Sequence, residues 1–316
     1  MNFTCNSPKE KPRIACVTGA TGMIGNLIVK NLLAGGYTVR ILTRREYLNP
    51  RVQVFRGDLS DLFKLDAFIS GAEMVFHCAA ELRDISKMQE VNVLGTKNIV
   101  TLVGQHHVRY FCHLSSAGVV GKTSEPWVDE STPCQPQDDY EISKLEAEEY
   151  ARLPIAGCST VILRPTNVVD ENHLGELSLP ATGSIKSRLN AFIKGGECAH
   201  IVHAEDVAKA AIYFADRPPS QNPGLFFVSL DDDPMNTVAH LWSLYTAMRI
   251  GQEKETATPL PHLPSMIPHI LRRIARGTGN YGNVRYSSKR LISEGFRFSL
   301  GVSDAVAKII LERGIH

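Results

Sequence analysis

Residues 13–36, RIACVTGATGMIGNLIVKNLLAGG, constrain the fold of this chain more than any other segment. An apolar run leads directly into Gly19, Gly22 and Gly25, which open an amphipathic stretch that stops at Gly35-Gly36. The pattern is a strand, a tight turn and a helix, with the glycine pair as a left-handed cap. In such a turn the first glycine permits the bend, the second lets backbone approach a pyrophosphate, and the third lets helix and strand pack closely. The helix N-terminus adds amide donors and partial positive charge. A strand before and a helix after favour a dinucleotide over an empty glycine turn, with Thr21, Met23 and Ile24 among the positions that meet it.

The alternation continues. Apolar runs YTVRILT, VQVF, MVFHCAA, VRYFCHLSS and STVILRP follow, separated by helical patterns over 61–70 and 85–105 and around Tyr140. Strands that alternate with helices imply right-handed crossovers and a parallel sheet covered on both faces. The expected fold is therefore α/β, a Rossmann-type doubly wound sheet with a small C-terminal substrate-binding domain. Residues 1–12 read as a tail, 13–168 as the dinucleotide-binding domain and 169–316 mainly as the substrate-binding region. Within the latter, 170–183 reads as loop and 184–194 as helix, while 199–230 is expected to return to the main sheet. Helices over 235–250 and 302–313 complete the chain.

Composition excludes several classes. A net charge of +1 over 316 residues gives no reason to expect nucleic acid or an anionic membrane as partner. Seven scattered cysteines without a C-x-x-C suggest neither a zinc site nor a disulfide framework, and point to a reducing compartment. The tail lacks an apolar leader, and no apolar run reaches the ~20 residues that span a bilayer. A cytoplasmic location is expected. His200 and His203 flank a strand end with no third ligand in view, so no metal is expected. Asp231 to Asp233 read as a solvated loop, and SMIPHILRRIARG as a lid helix in preference to a membrane-surface one.

Chemistry concentrates in DDYEISKLEAEEY. Positions i and i+4 share a helix face, which brings the Lys144 ammonium close to the Tyr140 hydroxyl. A phenol titrates near pH ~10, and a nearby cation favours its ionised form, giving a proton donor and acceptor for neutral pH. At the end of the second strand an acid would bind the ribose 2′-hydroxyl of NAD, whereas arginine pairs with the 2′-phosphate of NADP. Thr43, Arg44 and Arg45 stand there, so NADP is favoured and NAD is the alternative. Asp58, after the third strand, suits the adenine amino group; Ser60 or Asp61 suits the N-cap of the following helix.

Taken together, TGATGMIG, GDL at Gly57, VFHCAA, VNVLGT, LSSAGVVG, YEISK, LRPTNVV and HAEDVA resemble the extended short-chain dehydrogenase/reductases of the NAD-dependent epimerase/dehydratase group. The resemblance runs from Arg13 to the C-terminus. It implies that Ser116 binds the substrate oxygen, that Tyr140 is the acid/base, and that Lys144 holds the nicotinamide ribose and lowers the tyrosine pKa. It places Leu59, Ala79, Ala80 and Pro165 beside the cofactor, makes Asn92 a brace of the site, and gives Asn167 to substrate. Asp206 would organise a helix start. Many relatives pair two helices, here 85–105 and the Tyr140 helix, into a homodimer interface.

The reaction expected is reduction of a keto group by NADPH, on the 4-keto group of a nucleotide-linked deoxysugar. Alternatives are an NAD-dependent nucleotide-sugar epimerase, a reductase of small ketones similar to dihydroflavonol reductases, and a nucleotide sensor without turnover. Ala117 and Gly118 stand where dehydratases of the group place an acidic pair, which argues against dehydration. Arg188 and Arg285 are the expected substrate ligands, with Lys186, Arg272 and Arg273 as further diphosphate candidates. The arginine-bearing segment that many relatives use is replaced by Tyr281-Gly282-Asn283.

Overall fold

Strand burial decides the layers. The computed structural model describes residues 13–252, 257–276 and 284–314. The expected tail, Tyr281-Gly282-Asn283 and the side chains of Arg272 and Arg273 lie outside the described residues. The strands are β1 (Ile14–Thr18), β2 (Thr38–Thr43), β3 (Val52–Arg56), β4 (Met74–His77), β5 (Tyr110–Leu114), β6 (Trp127–Val128), β7 (Ser159–Pro165), β8 (Asn167–Val169), β9 (Ile201–His203), β10 (Gly224–Val228) and β11 (Arg285–Tyr286). Seven of them form one parallel sheet in the order β10-β7-β5-β4-β1-β2-β3.

Because side chains alternate along a strand, each strand feeds both faces. Ala15, Val17, Phe76 and Cys112 pack with Ile28, Leu32, Ala208 and Phe214 on one side. Cys16, Val75, Phe111 and Ile162 pack with Leu65, Phe68, Ile99 and Val103 on the other. That double burial is why the strands read as continuous apolar runs. The strand order reverses between β1 and β4, and the crevice beyond their carboxyl ends is where such sheets take ligands. A third core joins Val169, Ala191, Trp242, Tyr245, Val306 and Ile309 in the later part of the chain.

Three expectations are corrected. First, β9 does not enter the main sheet; it pairs with β8, Asn167 opposite Ile201. The edge beside β7 is already taken by β10, Gly224 opposite Val161. Second, the expected loop 170–183 carries a short 3₁₀ turn, Gly175–Leu177, and a helix, Ser178–Thr182, ended by Gly183 at φ +60°. A five-residue helix containing Pro180 has too little periodicity to show in sequence. Third, the long helix over 85–105 is continuous but widens to π winding over Gln89–Leu94.

Candidate active site

The glycine turn leaves no room for side chains at two of its three glycines. A Cβ on Gly19, whose φ is +66°, would stand 2.6 Å from the backbone between Cys78 and Ala79; one on Gly25 would stand 2.3 Å from the Gly19 carbonyl. A Cβ on Gly22 would meet only that same carbonyl, at 3.3 Å, so this glycine faces open space. No side chain caps the helix Met23–Ala34, and Thr21 and Gly22 are exposed at its start. Ile24 turns its side chain to the core.

Behind the turn runs a chain of hydrogen bonds with one direction. The Ala79 N–H donates to Thr18 Oγ1 (3.2 Å), which pairs with His77 Nδ1 (2.7 Å). His77 Nε2 meets Thr96 Oγ1 (3.0 Å), and Thr96 donates to the Asn92 carbonyl (2.6 Å). With the Thr96 proton spent on Asn92, His77 must donate from Nε2 and accept at Nδ1. Burial, reinforced by Lys144, pushes His77 down to about 3, so it stays neutral. Asn92 lies in the π segment, a place where helices often carry functional groups. It accepts from the Glu81 N–H (2.7 Å) and donates to the Glu81 carbonyl (3.0 Å) and to Ser143 Oγ (2.9 Å), which itself donates to the Tyr140 carbonyl (2.8 Å). Asn92 thus links the stretch after β4, the π turn and the Tyr140 helix. Ala80 follows Ala79 in the half-buried stretch after β4.

The helix Asp139–Ala151 carries Tyr140 and Lys144, and Asp138 caps it by accepting from the Glu141 N–H (2.8 Å). The Tyr140 hydroxyl hydrogen-bonds Ser116, whose Oγ also accepts from the Gly118 N–H (3.1 Å). Lys144 is 2 % exposed and donates to the Leu114 carbonyl at the end of β5 (2.6 Å). Burial pulls it down to about 8, opposed by Glu148 and Cys78. Tyr140 departs from expectation. Burial raises its pKa, and the bond to Ser116 is what eases it down; Lys144, one of whose three N–H groups goes to the β5 backbone, is not among the groups that shift it.

Two features of this helix were not read from the sequence. Glu141 sits against Gly118, where an added Cβ would meet its carboxylate at 3.3 Å and press it aside. Burial raises Glu141. Glu148, one turn past Lys144, is fully buried and clamped by Arg164, Nε to Oε1 at 2.8 Å and Nη2 to Oε2 at 2.7 Å. Burial works to raise Glu148, but Arg164 holds it below the usual carboxylate range. Only an i, i+16 coincidence marks this pair in the sequence, which is no signal at all.

At the end of β2 Arg44 and Arg45 are exposed, and Thr43 Oγ1 accepts from the Arg45 N–H (3.1 Å). Asp58 accepts from both the N–H and the hydroxyl of Ser60 (3.0 and 2.6 Å), which with Arg44 nearby keeps its carboxyl low. Asp61 is the residue that caps the next helix. Leu59 is buried against Gly95, and Pro165 is buried at the end of β7.

The expected substrate ligands do not converge. The Asn167 amide donates to the Ala199 carbonyl (2.9 Å), tying β8 to the segment before β9. Arg285 donates to the Asp231 carbonyl and lies 5.9 Å over the Trp127 ring. Arg188 and Lys186 are exposed on the helix Ile185–Lys194. Asp206 receives the Ser299 N–H (2.7 Å) and Leu300 N–H (3.2 Å), while His203 caps the helix start by accepting from the Glu205 N–H (3.1 Å).

The metal expectation also changes. Cys198, His200 and Asp231 bring sulfur, nitrogen and oxygen within 4.8 Å of one another, a set that can hold a metal ion. Asp231 is fully buried, not solvated; it accepts from His200 Nδ1 (2.6 Å) and the Tyr286 N–H (2.9 Å). Burial opposes charge on His200, but Asp231 and Cys198 raise it to about 10. Residues 31 apart that meet through a loop carry no spacing signature.

Comparison with known proteins agrees with this geometry. The model of the NAD dependent epimerase/dehydratase family matches residues 15–228. A putative UDP-glucose 4-epimerase of Methanocaldococcus jannaschii is 31% identical over 216 residues, 61% of this chain and 70% of that protein. Cinnamoyl-CoA reductase 1 of Petunia hybrida is 30% identical over 240 residues, 65% of this chain and 70% of the relative. The Thermus thermophilus UDP-glucose 4-epimerase complexed with NAD shares the fold, with a TM-score of 0.68 and 23% identity, covering 95% of this chain and 98% of the other. A family match over most of the sheet, on a chain with this glycine turn, settles the assignment: the chain belongs to the NAD-dependent epimerase/dehydratase family and is a nicotinamide-dependent oxidoreductase of the short-chain dehydrogenase/reductase type.

Proposed function

We propose that the protein uses NADPH to reduce a keto group on a nucleotide-linked sugar. The observation that carries this reading is the group Ser116–Tyr140–Lys144, held at the carboxyl ends of β5 and the neighbouring strands. The cradle fits a dinucleotide because side chains are excluded at Gly19 and Gly25 while the Gly22 face stays open. Gly19, Thr21, Gly22 and the Met23 end of the helix would hold the pyrophosphate, Ala79 and Ala80 the middle, and Arg44 with Asp58 the adenosine end. The bound cofactor supplies hydride; the chain supplies placement and the proton.

Ser116 and Tyr140 donate to the substrate oxygen, and donors fixed in this way lower the barrier by about 2.7–4 kcal/mol each. Tyr140 then gives its proton to that oxygen. Lys144, anchored on the Leu114 carbonyl, would bind the nicotinamide ribose with its remaining N–H groups. His77 and Asn92 touch no reacting atom; they fix the loop after β4 and the Tyr140 helix relative to each other.

Arg44 supports NADPH over NADH, because no acid stands at the end of β2 to receive a ribose hydroxyl. The likeness to the M. jannaschii relative favours a second reading, epimerisation of a nucleotide sugar with NAD. Fluorescence titration with NADPH and NADH, after assaying the purified protein for carried nucleotide, separates the two. Exchangeable NADPH with tighter binding supports the reductase. Retained NAD overturns it in favour of the epimerase. Arg44→Asp is expected to weaken NADPH about 10–100-fold more than NADH, the range of charge-assisted hydrogen bonds. We also propose a homodimer through the helix 85–105 and the Tyr140 helix, where Ile85, Leu94 and Ile142 are exposed; light scattering on the eluting protein checks it.

A further inference from the structure

Two neighbouring helices of the later region expose apolar stripes. On Ile185–Lys194, Ile185 (87 %), Leu189 (57 %) and Phe192 (40 %) are exposed at i, i+4 and i+7, one face of the helix. On Met266–Arg276, Met266, Ile267, Ile270 and Ile274 (78 %) are exposed, again along one face. Pro268 is tolerated because it falls in the first turn. The few residues leading into the second helix touch the end of the first: the Leu263 N–H donates to the Phe192 carbonyl (2.9 Å), and the His262 ring lies against Gly195 and Gly196. An isolated exposed leucine means nothing, but seven large apolar side chains on two helices linked in this way mark a docking surface.

Charge names the partner. The two helices contain Lys186, Arg188, Lys194, Arg272, Arg273 and Arg276, and neither contains Asp or Glu. The net charge of +1 that argued against a membrane averages over the whole chain and hides this segregation. An interface helix with apolar residues on one side and cations as its only charges fits the boundary of an anionic lipid bilayer. Among the described residues no helix is long and apolar enough to cross a membrane, so the contact is peripheral.

We propose that the helices Ile185–Lys194 and Met266–Arg276 dock the protein on an anionic lipid surface. The inference does not depend on the reaction proposed above, since the face lies outside the Ser116–Tyr140–Lys144 group. The test is flotation of the full chain with vesicles of phosphatidylcholine alone or with about 30% phosphatidylglycerol, at low and high salt. Expected is binding to the anionic vesicles only, reduced about tenfold or more by high salt and by the combined variant Ile185→Glu/Leu189→Glu/Ile270→Glu/Ile274→Glu. These side chains are exposed, so the fold should survive; circular dichroism and nucleotide binding confirm it. Absence of binding, or equal binding by the variant, overturns the proposal. A variant that changes the mass in solution without changing flotation assigns the face to a second copy instead, and overturns it too.

Discussion

Two buried carboxylates, one on each side of Pro165, are neutralised differently. Glu148, on the buried face of the Tyr140 helix, is clamped by Arg164, a cation whose charge does not change at accessible pH. Asp231, beyond β10, is matched by His200, whose charge can be lost. The first pair fixes the helix that carries Tyr140 and Lys144 to β7. The second gathers β9, the loop after β10 and Tyr286 around a titratable centre. The contrast teaches that the catalytic side is built to be independent of pH in its scaffold, while the later region is not.

The sharpest way to test the catalytic side is Tyr140→Phe, which on the proposed mechanism lowers turnover about 10²–10⁴-fold while leaving nucleotide binding intact. Single-turnover rates and a fluorescence titration check both halves; unchanged turnover removes Tyr140 from the proton step. Next comes the scaffold. Arg164→Met leaves Glu148 buried without its partner and should cost about 3–5 kcal/mol in urea unfolding. A loss below about 1 kcal/mol would mean Arg152, 3.0 Å from the same carboxylate, takes over.

The titratable pair answers to pH. His200 is raised from 6.5 to about 10 in the folded chain. The stability it contributes is therefore fully present below 6.5 and is lost as pH rises through about 10. Denaturation midpoints of wild type should fall across that window, and those of His200→Gln should not follow this component. Parallel curves would break the comparison between the two carboxylates. The smallest effect is on rate: with Lys144 pulled down to about 8, kcat/KM should decline as pH rises through that value, because the neutral amine loses its charge on the ribose. A profile flat to higher pH would show that Lys144 keeps its proton in the working enzyme.

Much of the nucleotide-binding half was legible because its signals are local. A strand buried on both faces must be apolar throughout, a tight turn against a phosphate must use glycine, and Tyr140 and Lys144 lie one helical turn apart. Those requirements act within a few residues, so they leave periods and spacings in the chain. The same logic narrowed the N-cap of the next helix to Ser60 or Asp61, and Asp61 takes it; Ser116 came only from the resemblance.

What came only with the tertiary structure depends on residues far apart. Lys144 was expected beside the Tyr140 hydroxyl, but the end of β5 offers its Leu114 carbonyl, and a buried ammonium takes the nearest acceptor. Arg285 was expected to grip a diphosphate, but Asp231 and Trp127 claim it. β9 was expected in the main sheet, but β10 already fills that edge. Local sequence determined the sheet, the cofactor turn and the candidate acid/base, because sterics and periodicity are short-range. Which charges meet in the interior, and which apolar faces remain outside, was decided by packing between distant segments, for which spacing along the chain holds no record.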